Sequence, residues 1–552
     1  MKNISLLLFA TLISAKLFSQ GEPMHQWEEC LPYGSSHALA NANSKIFSTN
    51  GLSLFSVEFD DYTISHYSKV NGLTDIGFST IKYDSANDVL LIAYSNSNID
   101  LLRGSVVTNI SDIKRKNIVG DKSIYDCNFN GQLAYLSCGF GIVVLDVDAS
   151  QINDTWYFGA NGTPVKTYST AIVDHQIYAA TVNGIYTADL NNPNLANYNF
   201  WTKLSGNGLP NGEVKDVASF NNNLYAIIND SLMEYNGMNW QTIWHENNWV
   251  LQSLDQKKNE ELIVGTWSFD GTNQISKLIV ADASNQIDSV KAMDNYMIEP
   301  VQSCFANGHY WVSDLYSGLT EFTTAKTNRF VPEGPYDYSV ADIKINSSND
   351  HVYCVSGAVD ISWNYTFNNH GVYNRIDGHW QNWNLYNTPV LLNNFDMLCV
   401  AINPVTNKVY YGSYCDGLFE YDDQLGFTNH WNKYNSSLEY TVGDTQRTKI
   451  AGLAFDKDNN LWIANIGAQK LISVYKADGT WQKFAPPFPM SGNFIGQVVI
   501  DDNNFKWFVC PRGNGVLVFD SGNDLNSTTD DRYVHLTTGA NNGNLPSDDV
   551  TS

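Results

Sequence analysis

The run DKDNN at 456–460 sets Asp456, Asp458 and Asn460 at alternate positions, as a calcium loop opens. Such a loop needs Gly at its sixth position and a bidentate Glu at its twelfth. Here those positions hold Leu461 and Gly467. DDNN at 501–504 has the same form. Both runs are therefore expected to close hairpins through Asx turns rather than to hold an ion. The 11 His contain no H-E-x-x-H, no H-x-H and no helical i, i+4 pair. His370 and His379, in HGVYNRIDGHW, are expected as surface polar groups. There is no G-x-S-x-G elbow, Walker loop or G-x-G-x-x-G turn. Among 57 Asp and Glu, no spacing singles out a general acid/base pair. The sequence thus predicts no catalytic residue, no metal and no cofactor. A lyase or hydrolase would need a convergent cluster in one mouth.

Positive charge is concentrated in one place. DIKRKNIVGDK (112–122) carries Lys114, Arg115, Lys116 and Lys122 on a chain of net charge −25. Two roles fit the run: a solvated connection into the next structural repeat, or a patch for phosphate or carboxylate groups on a polysaccharide. Trp244, Trp249 and Trp363 could stack on sugar rings, although packing is the commoner use of such aromatics. The strong acidity argues against nucleic acid, whose phosphates need clustered Lys and Arg, and against an electrostatic anchor on anionic lipid.

The frame that must position these residues is all-β. Aromatics make up 13% of the chain, Asn and Gly are abundant, and long Ala/Glu/Lys/Leu runs are missing, which suits strands joined by tight turns. Lys2 and the apolar stretch 6–13 predict a signal peptide over 1–20, and no later segment is apolar enough to predict a membrane helix. The eight Cys (30, 127, 138, 304, 354, 399, 415, 510) form no C-x-x-C. Cys127/Cys138 and Cys399/Cys415 could pair across strands in an oxidising compartment, or all could be small buried hydrophobes.

A repeat organises the rest. FDKDNNLWIANI (455–466) and IDDNNFKWFVCP (500–511) align with a period of about 45 residues, in the range of propeller blades. Each unit reads as a strand, an Asx-rich turn and a strand centred on a large residue such as Tyr135, Tyr225, Trp311 or Trp462. A Gly-opened strand follows, as in GIVVLD (141–146) and GLFEYD (417–422), and the last strand is often announced by Trp. Gly permits the sharp turn, and large aromatics fill the wedge that widens between blades away from the axis. Roughly eleven units are legible, more than the 4–8 blades of one propeller. Two consecutive β-propellers are expected: a first of about seven blades over 21–336, and a second over 337–552. The seam falls in the Pro/Gly-rich RFVPEGPYDYSV (329–340). The ending GNLPSDDVTS (543–552) reads as a turn plus the start of a strand. The second propeller is therefore expected to be incomplete through C-terminal truncation, with further blades and a β-sandwich sorting domain downstream.

The stretches LFSVEFDDYTISHYSKVNGLTDIGFSTIKYDSANDVLLIAYSNSNIDLL (54–102) and VVTNISDIKRKNIVGDKSIYDCNFNGQLAYLSCGFGIVVLDVDASQI (106–152) resemble the PorZ family of the Bacteroidota type IX secretion system. LPSDDVTS and FDKDNNLWIA are similar to the broader two-component-regulator propeller repeat. The resemblance implies a non-enzymatic, exported protein at the cell surface, associated with the outer membrane. It also implies the PorU sortase, PorV and PorQ as partners, and anionic lipopolysaccharide as the ligand presented to the sortase. The rival expectation is a periplasmic sensor of a hybrid two-component regulator that responds to oligosaccharides. Such sensors usually open with a crisp D-x-x-G-x-x-W-x-G-T repeat, which this chain lacks.

Overall fold

The structure is a computed structural model and describes residues 27–257, 260–290 and 296–551. The signal-peptide segment expected at 1–20 lies outside the described residues. The chain divides into two compact units, Met1–Pro332 and Glu333–Ser552.

Among the described residues, the first unit contains seven four-stranded antiparallel sheets, each built from consecutive strands in simple up-and-down order. They span 38–67, 78–110, 124–156, 167–203, 214–244, 249–290 and 300–330. Strand alternation explains how each sheet serves two neighbours. In the third blade, Val143 and Leu145 pack toward the second blade with Val89 and Leu91, while Ile142 and Val144 pack toward the fourth with Ile177 and Ala179. The same division recurs around the unit, so that its apolar side chains form one layer per blade interface. Closure is direct. Leu39, Ile46 and Phe55 of the first blade share a core with Trp311 and Leu319 of the seventh. The Ser36 amide donates to the Asp314 carbonyl at 2.9 Å, and its hydroxyl lies 2.7 Å from those of both Ser48 and Ser313.

Side chains on the innermost strands lock successive blades. The Leu39 amide donates to Gln302 Oε1 (2.9 Å), Asn128 Nδ2 to the Thr170 carbonyl (2.6 Å), the Val217 amide to Ser169 Oγ (3.0 Å) and the Leu254 amide to Asp216 Oδ2 (2.7 Å). These bonds satisfy backbone groups on strand edges that line the axis.

The second unit holds four sheets of the same design, at 342–383, 397–431, 449–484 and 498–536. In the first three sheets the large residue of the second strand, Tyr353, Tyr410 or Trp462, is buried and its polar atom is answered. Tyr410 Oη donates to Glu420 (2.7 Å), and Trp462 Nε1 to Asp456 (2.8 Å). Residues 545–549 dock on the fourth sheet, where the Gly515 amide donates to the Asp548 carbonyl (2.8 Å) and the Arg512 amide to Asp549 Oδ1 (2.8 Å).

Candidate functional site

The basic segment forms the connection between the second and third blades. Its first residues make a single helical turn, Asp112–Arg115. The four cations are not equivalent. Lys114 pairs with Asp75, and Arg115, largely exposed, lies 3.4 Å from Asp112. Lys122 turns inward and donates to the carbonyls of Ile113 (3.1 Å), Lys114 (2.8 Å) and Lys116 (3.1 Å), closing the turn. Lys116 is exposed, and its ammonium has no partner among the described residues. Lys116 is therefore the position open to an anion, Arg115 is exposed but shared with Asp112, and Lys122 holds the loop together.

Beneath this turn lies a cavity of about 360 Å³ whose walls are Ile113, Ile118, Phe140, Val143 and Ile152. Asp112, Lys116 and Thr155 supply its polar edge. The third blade opens it through a bulge. Val143 pairs with Thr155 and Leu145 with Ile152, so the register shift between Val144 and Leu145 puts Ile152 and Thr155 on one wall. The next wedge along is filled with rings instead: Trp156, Phe158 and Trp201, the last two stacked at 4.4 Å. No motif in the sequence marks this cavity.

A second concentration of charge went unread in the sequence. The innermost strands enclose an axial cavity of about 460 Å³ lined by Lys82, Asp126, Asp216 and Asp255. Lys82 Nζ lies 3.7 Å from Asp126 Oδ1, with 38% and 24% of their side chains exposed to the channel. Burial pushes Asp255 up to about 6 against the pull of Lys82. Burial, aided by the charge of Asp126, does the same to Asp216, also to about 6. Asp126 is raised too, because burial outweighs its Lys82 partner, and Lys82 is held protonated chiefly by Asp126. These residues come from four separate blades, so only the ring closure brings them together.

The other residues singled out by sequence have local duties. Asp456 Oδ1 accepts from the amides of Asp458 (3.0 Å) and Asn460 (2.8 Å), and its Oδ2 accepts from Trp462. Asp501 repeats this with Asn503, Phe505 and Trp507. Both runs are hairpin turns that also anchor a Trp. His370 Nδ1 lies 2.6 Å from Asp337, and His379 Nδ1 3.2 Å from Glu333, each with its own carboxylate. Among the described residues, no group of three or more His, Cys, Asp or Glu side chains is arranged to hold a metal ion. Trp244 and Trp249 flank Lys277, whose ammonium sits 5.3 and 4.0 Å from their ring centres. Trp363 packs edge-on against Phe494. Cys30 is exposed and the other seven Cys are buried; Cys127, Cys138, Cys399 and Cys415 are free thiols, so neither candidate pair is bridged. No described helix is long and apolar enough to cross a membrane.

Fold and sites define the class: a double β-propeller protein whose features are a basic inter-blade turn over an apolar cavity and a charged axial channel. Residues 46–202 match the family described as TSS9, PorZ, N-terminal beta-propeller domain, a span that includes the basic turn. Among solved structures, the chain is similar to PorZ, the bacterial surface component of the type IX secretion system of Porphyromonas gingivalis. That similarity has 20% identity and a TM-score of 0.78, over 92% of this chain and 68% of that one. The extracellular domain of a hybrid two component system from B. thetaiotaomicron aligns at 13% identity and a TM-score of 0.42, over 93% of this chain and 72% of that one. No curated protein matches.

Proposed function

We propose that this chain is a non-enzymatic, cell-surface component of the type IX secretion attachment apparatus. In this role it binds anionic lipopolysaccharide and presents it to the PorU sortase, together with PorV and PorQ. The observation that carries the proposal is the match of 46–202 to the PorZ N-terminal propeller, which spans the one basic run of an acidic chain. Lys116, without a partner among the described residues, and the exposed Arg115, shared with Asp112, suit phosphate or carboxylate groups. Export is supported by the charged and apolar pattern of residues 1–20.

The test is genetic. Deleting the gene leaves type IX cargo unprocessed and released without its glycolipid anchor, and the wild-type gene restores anchoring. A variant carrying R115E and K116E restores less, while its folding, followed by circular dichroism, is unchanged. Normal anchoring in the deletion strain overturns the proposal.

A further inference from the structure

The wedge between adjacent blades widens away from the axis, and large side chains normally close it. Between the second and third blades it is left open over about 360 Å³, within the size range of small-molecule pockets. Its walls are aliphatic and aromatic, and a cavity of that character excludes water and accepts apolar guests. At its edge stands Lys116, exposed and unpaired among the described residues, on the same turn as the exposed Arg115. Val119, beside the wall residue Ile118, is 92% exposed, so apolar surface continues outside.

We propose that this cavity binds the hydrocarbon chain of one anionic amphiphile, whose head group meets Lys116 and Arg115. The charge pattern decides between an amphiphile and a membrane face. A net charge of −25 repels an anionic bilayer, whereas one unpaired cation, Lys116, at the edge of an apolar pocket, with the exposed Arg115 shared with Asp112 beside it, matches a single head and tail. The identity of the amphiphile rests on the function proposed above: an acyl chain of the lipopolysaccharide, recognised together with its anionic groups. The propeller then grips lipid as well as sugar.

The test is calorimetric titration of the full chain with n-alkyl phosphates of six to twelve carbons, each kept below its micelle concentration. Each methylene buried tightens binding about fourfold until the cavity is full. Ile152→Trp, on a half-buried wall position, fills the cavity and abolishes the dependence on chain length. Lys116→Glu, at an exposed position with no folding role, weakens the whole series by a common factor of a few without changing its slope. Lipopolysaccharide displaces decyl phosphate from the wild type. Affinity independent of chain length, or an unchanged slope in Ile152→Trp, overturns the proposal. Failure of lipopolysaccharide to compete overturns its assignment as the occupant and leaves the hydrocarbon pocket in place. Delipidated anionic polysaccharide is titrated in parallel. If it binds while alkyl phosphates do not, the lipid pocket falls and the proposed function stands. If alkyl phosphates bind with the expected slope while neither polysaccharide nor lipopolysaccharide binds, the reverse holds.

Discussion

Replacing Asp255 by Asn is expected to stabilise the first propeller at neutral pH and to do so only about a third as much at pH 4.5. Asp255 lines the axial channel with Asp126 and Asp216, and Lys82 is the one cation among the groups that set its pKa. Burial raises its pKa from the ordinary aspartate range to about 6. At about 1.4 kcal/mol per pH unit, such a displacement disfavours the charged form by about 3 kcal/mol in a dry site. The channel admits water, so screening reduces this to about 1 kcal/mol. The sign follows from proton counting. Between pH 4 and 6 the folded chain keeps a proton on Asp255 that the unfolded chain has released, so stability falls as pH rises through that window. Asn carries no charge and retains an oxygen to accept the Gln256 amide, which Asp255 holds at 2.7 Å. Many other carboxylates titrate in the same range, and comparing variant with parent at each pH cancels them. With an unfolding entropy near 2 cal/mol/K per residue over a unit of about 300 residues, 1 kcal/mol raises its midpoint by roughly 1.5 °C. Scanning calorimetry at pH 7.5 and 4.5 resolves this difference. Lys82→Met has the opposite sign, destabilising at pH 7.5 and less so at pH 4.5, where Asp216 and Asp255, two of the carboxylates it faces, are largely protonated. The reasoning fails if Asp255→Asn is less stable than the parent at pH 7.5, or if its advantage is as large at pH 4.5 as at pH 7.5.

Three further outcomes follow from the repeat itself. Asp456→Ala removes the acceptor of a fully buried Trp462 Nε1 and costs about 2–4 kcal/mol, whereas Asp501→Ala costs about 1 kcal/mol because Trp507 is 37% exposed and can bond to water; urea unfolding of the pair separates them. Gly417→Ala costs about 2 kcal/mol or more, since φ is 91° and the new Cβ would sit 2.2 Å from the Trp431 carbonyl oxygen. Gly378→Ala, at φ 84° with nothing nearby, costs about half as much, and the difference in melting temperature isolates the clash. A thiol reagent titrates Cys30 alone in the native chain and all eight Cys after denaturation without reductant. The buried sulfurs are inaccessible, and burial holds several thiols protonated, Cys510 up to about 12.

The propeller was legible because its grammar is local. Asp456, Asn460 and Trp462 lie within seven residues of one another, and one hairpin expresses all of their chemistry. Gly417 likewise needs only the neighbouring strand to require a residue without Cβ. The basic turn was legible as composition but not as mechanism. Nothing in KRKNIVGDK distinguishes Lys122, bonded to three carbonyls nine, eight and six positions back, from Lys116, which is open. The axial carboxylates were illegible for the opposite reason. Lys82, Asp126, Asp216 and Asp255 belong to four different repeats, and each alone looks like one more charged residue in an acidic chain. The cavity leaves a trace that can be read in retrospect. Several last strands carry an aromatic where the wedge must be filled, such as Trp240, Phe330 and Trp481, but VVTNI (106–110) carries none and QINDTW (151–156) turns its Trp toward the fourth blade. The open wedge between the second and third blades thus contrasts with the ring-filled wedge beside it, and it lies beneath the basic turn.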